Sequence, residues 1–178
     1  MRIPLIPACF IFCMLIQACS SGPGTTALPG APVSVKAVQD EVKGKRYKAE
    51  KAGTHSPFKD DKTIEWLEPK AEDKFEKGIA DDSKTLQLEF FNDTSVTVNY
   101  KSKSYTGTYV VDEVTGEEER PGIKLRVSYI DEEFKLGDGP ATKVTYTYIV
   151  DGLNDKSLLL ETPRSMNNRK IVVLMNKQ

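Results

Sequence analysis

The chain has 178 residues, room for one domain of ordinary size with extensions. Its 25 Lys+Arg and 26 Asp+Glu nearly cancel, which excludes the basic excess of a nucleic-acid binder. One histidine and three cysteines leave little material for metal or thiol chemistry.

In chain order, Met1 and Arg2 precede an apolar run over 3–16, interrupted by Pro4 and Pro7. A helix of that length rises about 21 Å, short of the roughly 30 Å hydrocarbon core of a bilayer. The run therefore reads as the apolar part of a signal peptide spanning 1–18, not as a membrane span. Its end, with Ile16, Ala18 and Cys19, resembles a bacterial lipobox, in which a leucine-like residue and a small residue precede a cysteine. The resemblance implies cleavage before Cys19 and lipid attachment to it, with acyl chains on its thiol and new amino group. Each buried CH₂ contributes about 0.8 kcal/mol, so several chains give an anchor that does not release. Ser20, and not Asp, follows the cysteine, and no acidic cluster stands beside it. In such lipoproteins this implies a cell-envelope protein held at the outer membrane and facing the periplasm. Cys9 and Cys13 leave with the signal peptide, so the expected mature chain has no disulfide and must rely on its core.

Pro23, Pro29 and Pro32 with Gly22, Gly24 and Gly30 mark a flexible, lipidated linker over 19–42. Within it, 35–42 reads equally as a short helix or a lead-in strand. The folded domain is expected over 43–178.

Most of that domain alternates with period two. Leu86, Leu88 and Phe90 alternate with Gln87 and Glu89; Ile123, Leu125, Val127 and Tyr129 alternate with Lys124, Arg126 and Ser128; Val144, Tyr146, Tyr148 and Val150 do likewise. Eight strands are expected, at 46–53, 86–91, 95–100, 105–112, 123–130, 143–150, 157–161 and 170–176. Turn formers separate them, among them Asn92-Asp93, Asp131-Glu132-Glu133 and Asp151-Gly152. Eight strands with one apolar face each bury it by closing into an all-β, antiparallel up-and-down barrel, or by splitting into a two-sheet sandwich. One short helix is expected over 69–77, because Leu67, Ala71 and Phe75 share a spacing of four.

The resulting pattern resembles the lipocalin-like domains of bacterial envelope lipoproteins of the Bacteroidetes type. The residues that carry the resemblance are Gly44-Lys45-Arg46-Tyr47, where Tyr47 stands in place of the family's Trp, the paired strands of 86–100 and Gly107-Thr108-Tyr109. The last hairpin, over 146–161, completes it. The resemblance covers 44–178 and implies an eight-stranded barrel, with no activity attached.

No catalytic residue is expected. His55 is the single histidine, reads as a surface-loop residue after the first strand, and lacks a Gly-x-Ser-x-Gly partner. The acidic runs at 60–61, 81–82, 117–119 and 131–133 read as solvated faces. Neither a metal nor a cofactor is expected. The tyrosines carry more information: Tyr100, Tyr109, Tyr129, Tyr146 and Tyr148 fall on or near the apolar strand faces. In a barrel they either fill the core or line a ligand-binding cavity with hydroxyl-bearing walls. The expected partners are the membrane, through the lipid anchor, and either a small hydrophobic ligand in the barrel or another envelope protein, met through a loop such as 113–122. Nucleic acid is not among them.

Overall fold

A computed structural model describes residues 28–56, 63–68, 73–113, 122–135, 139–163 and 168–178. The alternating segments become strands β1 (Arg46–His55), β3 (Gln87–Phe90), β4 (Ser95–Tyr100), β5 (Lys103–Glu113), β6 (Ile123–Lys135), β7 (Ala141–Leu153), β8 (Ser157–Glu161) and β9 (Lys170–Lys177). Each pairs antiparallel with its neighbour in chain order, and β9 returns to β1 from Tyr47↔Lys177 to His55↔Lys170. The sheet is a closed, eight-stranded, up-and-down barrel, and the sandwich alternative is set aside. Closure leaves none of the eight strands as a bare edge. A ninth, two-residue strand, β2 (Glu65–Trp66), lies across the end of β1.

Period-two alternation decides which side chains point inwards. Tyr47, Leu88, Phe90, Val96, Val98, Tyr109, Val111, Leu125, Val127, Leu158, Leu160 and Met175 form one continuous core. Hairpin chemistry holds the register. Asn92 Oδ1 accepts from the backbone N–H groups of Thr94 (2.9 Å) and Ser95 (2.8 Å), and Asn154 Oδ1 does the same for Lys156 (2.9 Å) and Ser157 (2.7 Å). Between β4 and β5 the two-residue turn Lys101-Ser102 has φ of 48° and 63° at its two positions, the left-handed pair that a tight hairpin demands.

The closed end of the barrel carries the first departure from expectation. Helix α1 (Val35–Val42) is packed structure, not linker. Ser34 caps it by accepting from Ala37 N–H at 3.1 Å. Val38 and Val42 are fully buried in the barrel core, with Val35 packed beside them. Upstream, the Gly30 carbonyl accepts from Leu153 N–H at 2.9 Å, and Pro29 sits on Gly152. The barrel therefore has two short helices, and its packed body reaches back across the expected boundary at 43.

Two further differences have physical causes. The second helix, α2, spans Lys74–Ser83; it includes 74–77 of the expected 69–77 and runs six residues further, while 69–72 lie outside the described residues. Asp73 sets its start by accepting from Phe75 N–H (2.7 Å) and Glu76 N–H (3.2 Å). Leu67, the first residue of the expected helical stripe, instead donates its N–H to Ala52 of β1. Strands β6 and β7 run 13 residues each, past the expected 123–130 and 143–150. The 131–133 triplet, read as a turn, belongs to β6, with Asp131 opposite Thr142 and Lys135 opposite Ala141 across an irregularity.

Candidate functional site

At the end opposite α1, the barrel interior is not filled. A cup of about 640 Å³ opens there beneath α2. Leu86, Leu88, Val98, Val127, Ile171 and Val173 supply its aliphatic wall, and α2 leans over it with Phe75, Gly78 and Ile79. The helix places Phe75 and Ile79 on one face, since residues four apart lie one turn above each other. Its C-terminal half is tied by Asp82, which accepts from the Tyr100 hydroxyl at 3.1 Å and pairs with Lys101 Nζ at 2.7 Å. Its N-terminal half is tied by Glu76, which accepts from Arg169 at 2.9 Å.

Of the five tyrosines expected to line a cavity, Tyr100, Tyr129, Tyr146 and Tyr148 do line the cup. Tyr109 does not: it lies in the core on Phe90, centroids 4.8 Å apart, and donates to the Asn92 carbonyl at 2.6 Å. The alternation that turns all five inwards is blind to depth along the barrel axis. Tyr109 lies in the second half of β5, towards α1, whereas Tyr100 closes β4 and Tyr146 lies in the first half of β7, towards the mouth.

Three tyrosines form a ladder across β5, β6 and β7. Tyr105 stacks on Tyr129 with centroids 4.5 Å apart and planes 25° apart, and Tyr129 stacks on Tyr146 at 5.8 Å and 17°. Gly107 makes room for it. A Cβ there would stand 2.2 Å from the Ser128 carbonyl oxygen and 2.9 Å from Tyr129 Cβ. This gives a packing reason for the Gly in Gly107-Thr108-Tyr109. Removal from water raises the pKa of Tyr129 and of Tyr148 far above the ordinary phenol value, with the neighbouring Tyr146 adding to both. Tyr100 is raised too, first by burial and then by Asp82. These phenols stay neutral through the physiological range and can donate hydrogen bonds.

The cup is uncharged at depth. Its charged lining residues, Lys74 and Asp82, both belong to α2 at the rim, and Asp82 is already engaged. Among the described residues no group of three His, Cys, Asp or Glu side chains is arranged to hold a metal ion.

A second polar site lies outside the barrel wall, and the sequence reading missed it. His55 is buried at the end of β1, not exposed in a loop. Its Nε2 stands 2.8 Å from Glu161 Oε2, and its Nδ1 faces the Ser56 carbonyl at 3.2 Å. Lys170 Nζ donates to the other Glu161 oxygen at 2.7 Å, and Glu161 itself is 1% exposed. Beside this triad the strap at 63–68 covers the outer wall: Ile64 and Trp66 pack on Leu159, Val172 and Leu174. Gly53 lets the strap approach, since a Cβ there would lie 2.6 Å from Ile64 Cγ2. The run Ser157-Leu158-Leu159-Leu160-Glu161, buried at every position, is the one sequence signal that both faces of β8 are covered.

Cys19, the signal peptide and most of the loop at 113–122 lie outside the described residues. Among the described residues no helix is long and apolar enough to cross a membrane. No family model, no curated protein and no solved structure matches this chain.

Proposed function

We propose that the chain is a lipid-anchored envelope lipoprotein, acylated at Cys19 and held at the outer membrane facing the periplasm, whose lipocalin-like barrel carries one small apolar or amphipathic molecule. It does so as a binding protein and not as an enzyme. The observation that carries the reading is the apolar cup of about 640 Å³ with four phenols in its wall. That volume falls within the roughly 300–1,000 Å³ of small-molecule sites, which are mostly apolar with a few placed polar groups. A barrel that served only as a rigid surface for another envelope protein would gain stability by filling this space with apolar side chains.

The test is native mass spectrometry of the chain from Ser20 onwards, expressed in an envelope-bearing host and purified without detergent. The proposal predicts an added small-molecule mass that disappears on denaturation and is absent from Gly78→Trp, which fills the cup from α2. A bare chain mass that stays bare after incubation with a total lipid extract would contradict it. The anchor is tested separately: Cys19→Ser is expected to move the protein from the membrane fraction to the soluble periplasm.

A further inference from the structure

Resting on that reading of the cup, we propose that its preferred ligand is a planar, uncharged aromatic ring bearing a carbonyl-type acceptor, seated as the next rung on the tyrosine ladder at Tyr146. Three observations converge on this class. The first is the contrast between two kinds of aromatic packing in one barrel. In the filled core the rings meet edge to face, Tyr47 with Phe90 at 75° and Phe90 with Tyr109 at 77°. At the other end they lie nearly parallel, Tyr105 with Tyr129 at 25° and, in the cup wall itself, Tyr129 with Tyr146 at 17°. A parallel stack is extended best by another flat ring, whereas an alkyl chain meets the ring face by dispersion alone.

The second observation is where the ladder stops. Tyr129 is 5% exposed and Tyr105 partly buried, but Tyr146 is 46% exposed while lining the cup. Tyr129 occupies one face of the Tyr146 ring, and no other aromatic side chain among the described residues stacks on it. A large ring left half bare beside an apolar cavity is the feature a stacked ligand would cover.

The third is the polarity of the wall. Tyr129, Tyr146 and Tyr148 bring phenols together on the adjacent strands β6 and β7, with Val127 opposite Tyr146 in the pairing. The Tyr129 hydroxyl is already hydrogen-bonded to Tyr146, which leaves the Tyr146 and Tyr148 hydroxyls in the wall as the groups that can meet a ligand acceptor. With both charged lining residues on α2 at the rim, nothing at depth calls for a charged ligand.

Flavone and flavanone provide a matched pair of probes, because both carry the carbonyl and only flavone has a fully conjugated, flat ring system. Dodecanol serves as an uncharged alkyl probe. The chain from Ser20 onwards, which keeps every described element, is expected to bind flavone at least 5-fold more tightly than flavanone. Flavone protons should shift upfield by ring current from Tyr146. Tyr146→Leu should weaken flavone about 3- to 10-fold, the range a lost aromatic pair supplies, remove the upfield shifts and leave dodecanol within 2-fold. Tyr146→Phe should retain the shifts. Equal affinity for flavone and flavanone, or a Tyr146→Leu variant that binds flavone unchanged, would overturn the proposal. Dodecanol binding with flavone silent would also overturn it while leaving the cup as an apolar-ligand site. Failure of all three probes would overturn both readings.

Discussion

Single residues divide here into those whose role follows from local pattern and those whose role exists only in the fold. Glu161 is of the second kind. Its partner His55 is 106 positions away in the chain, and Lys170 meets it only because β8 and β9 pair. A buried carboxylate that accepts from the Lys170 ammonium and lies 2.8 Å from the His55 ring is costly to break, because the lysine then loses its counter-charge and the imidazole its partner away from water. Glu161→Gln is expected to cost about 3 kcal/mol, read as a fall in melting temperature of roughly 10 °C. A loss below 1 kcal/mol would show that water reaches the triad. The tyrosines make a second prediction, about pH. Tyr47, Tyr100, Tyr109, Tyr129 and Tyr148 all have pKa values raised chiefly by burial. A group whose pKa is higher folded than unfolded stabilises the fold while protonated. Above about pH 10 the unfolded chain loses those protons first, so stability falls as pH rises further. Spectrophotometric titration should therefore show most phenols ionising together with alkaline unfolding. Reversible ionisation of all seven near pH 10 in a folded protein would contradict the burial described here. The inward direction of the tyrosines was legible from alternation. Their separation into Tyr109 in the core and the others at the cup was not, because it depends on height along the barrel.

Elements with a strong period were legible, and those fixed by a single contact were not. Four of the barrel strands, over 86–91, 95–100, 123–130 and 143–150, are foreshadowed by alternation, since the period of two is enforced wherever one face is buried. Their ends were less legible: charged residues such as Asp131, Glu132 and Glu133 look like a turn, yet β6 carries them beyond the barrel rim. Helix α1 is eight residues long, below the length at which helices persist alone. Only its packing, Val38 and Val42 entering the barrel, makes it stable, and Pro29, Gly30 and Pro32 nearby disguise it as linker. Complete burial of two valines contributes about 3 kcal/mol. A chain begun at residue 43 is thus expected to melt at least 10 °C lower and to bind apolar dyes at its opened end. An unchanged melting temperature would return 35–42 to the linker. In α2, Gly78 lies in the helix interior where a Cβ would meet no atom within 4 Å. Gly78→Ala is expected to add about 0.5–1 kcal/mol, measured by denaturant midpoint.

At the scale of the molecule, the barrel has two unlike ends. One is plugged by α1 and packed with edge-to-face rings; the other is roofed by α2, lined with parallel rings and left open inside. The count of strands and their short turns narrowed the fold to a barrel or a two-sheet sandwich, because eight half-apolar strands have few ways to hide one face, and the return of β9 to β1 decides for the barrel. The cup was not legible. Whether a barrel interior is filled depends on summed side-chain volumes at each height, which a one-dimensional pattern does not carry. Equally hidden was the strap, whose Ile64 and Trp66 give part of the barrel an apolar outer face. A carrier function requires the open end to be a true binding site. The direct measurement is a fluorescence titration of the chain from Ser20 onwards with N-phenyl-1-naphthylamine, an uncharged apolar probe that brightens when removed from water, run beside Gly78→Trp. Saturable one-site binding to the unaltered chain is expected, with at least a 10-fold loss in Gly78→Trp and an unchanged far-ultraviolet spectrum. Absence of saturable binding, or equal binding by the filled variant, would contradict a carrier function.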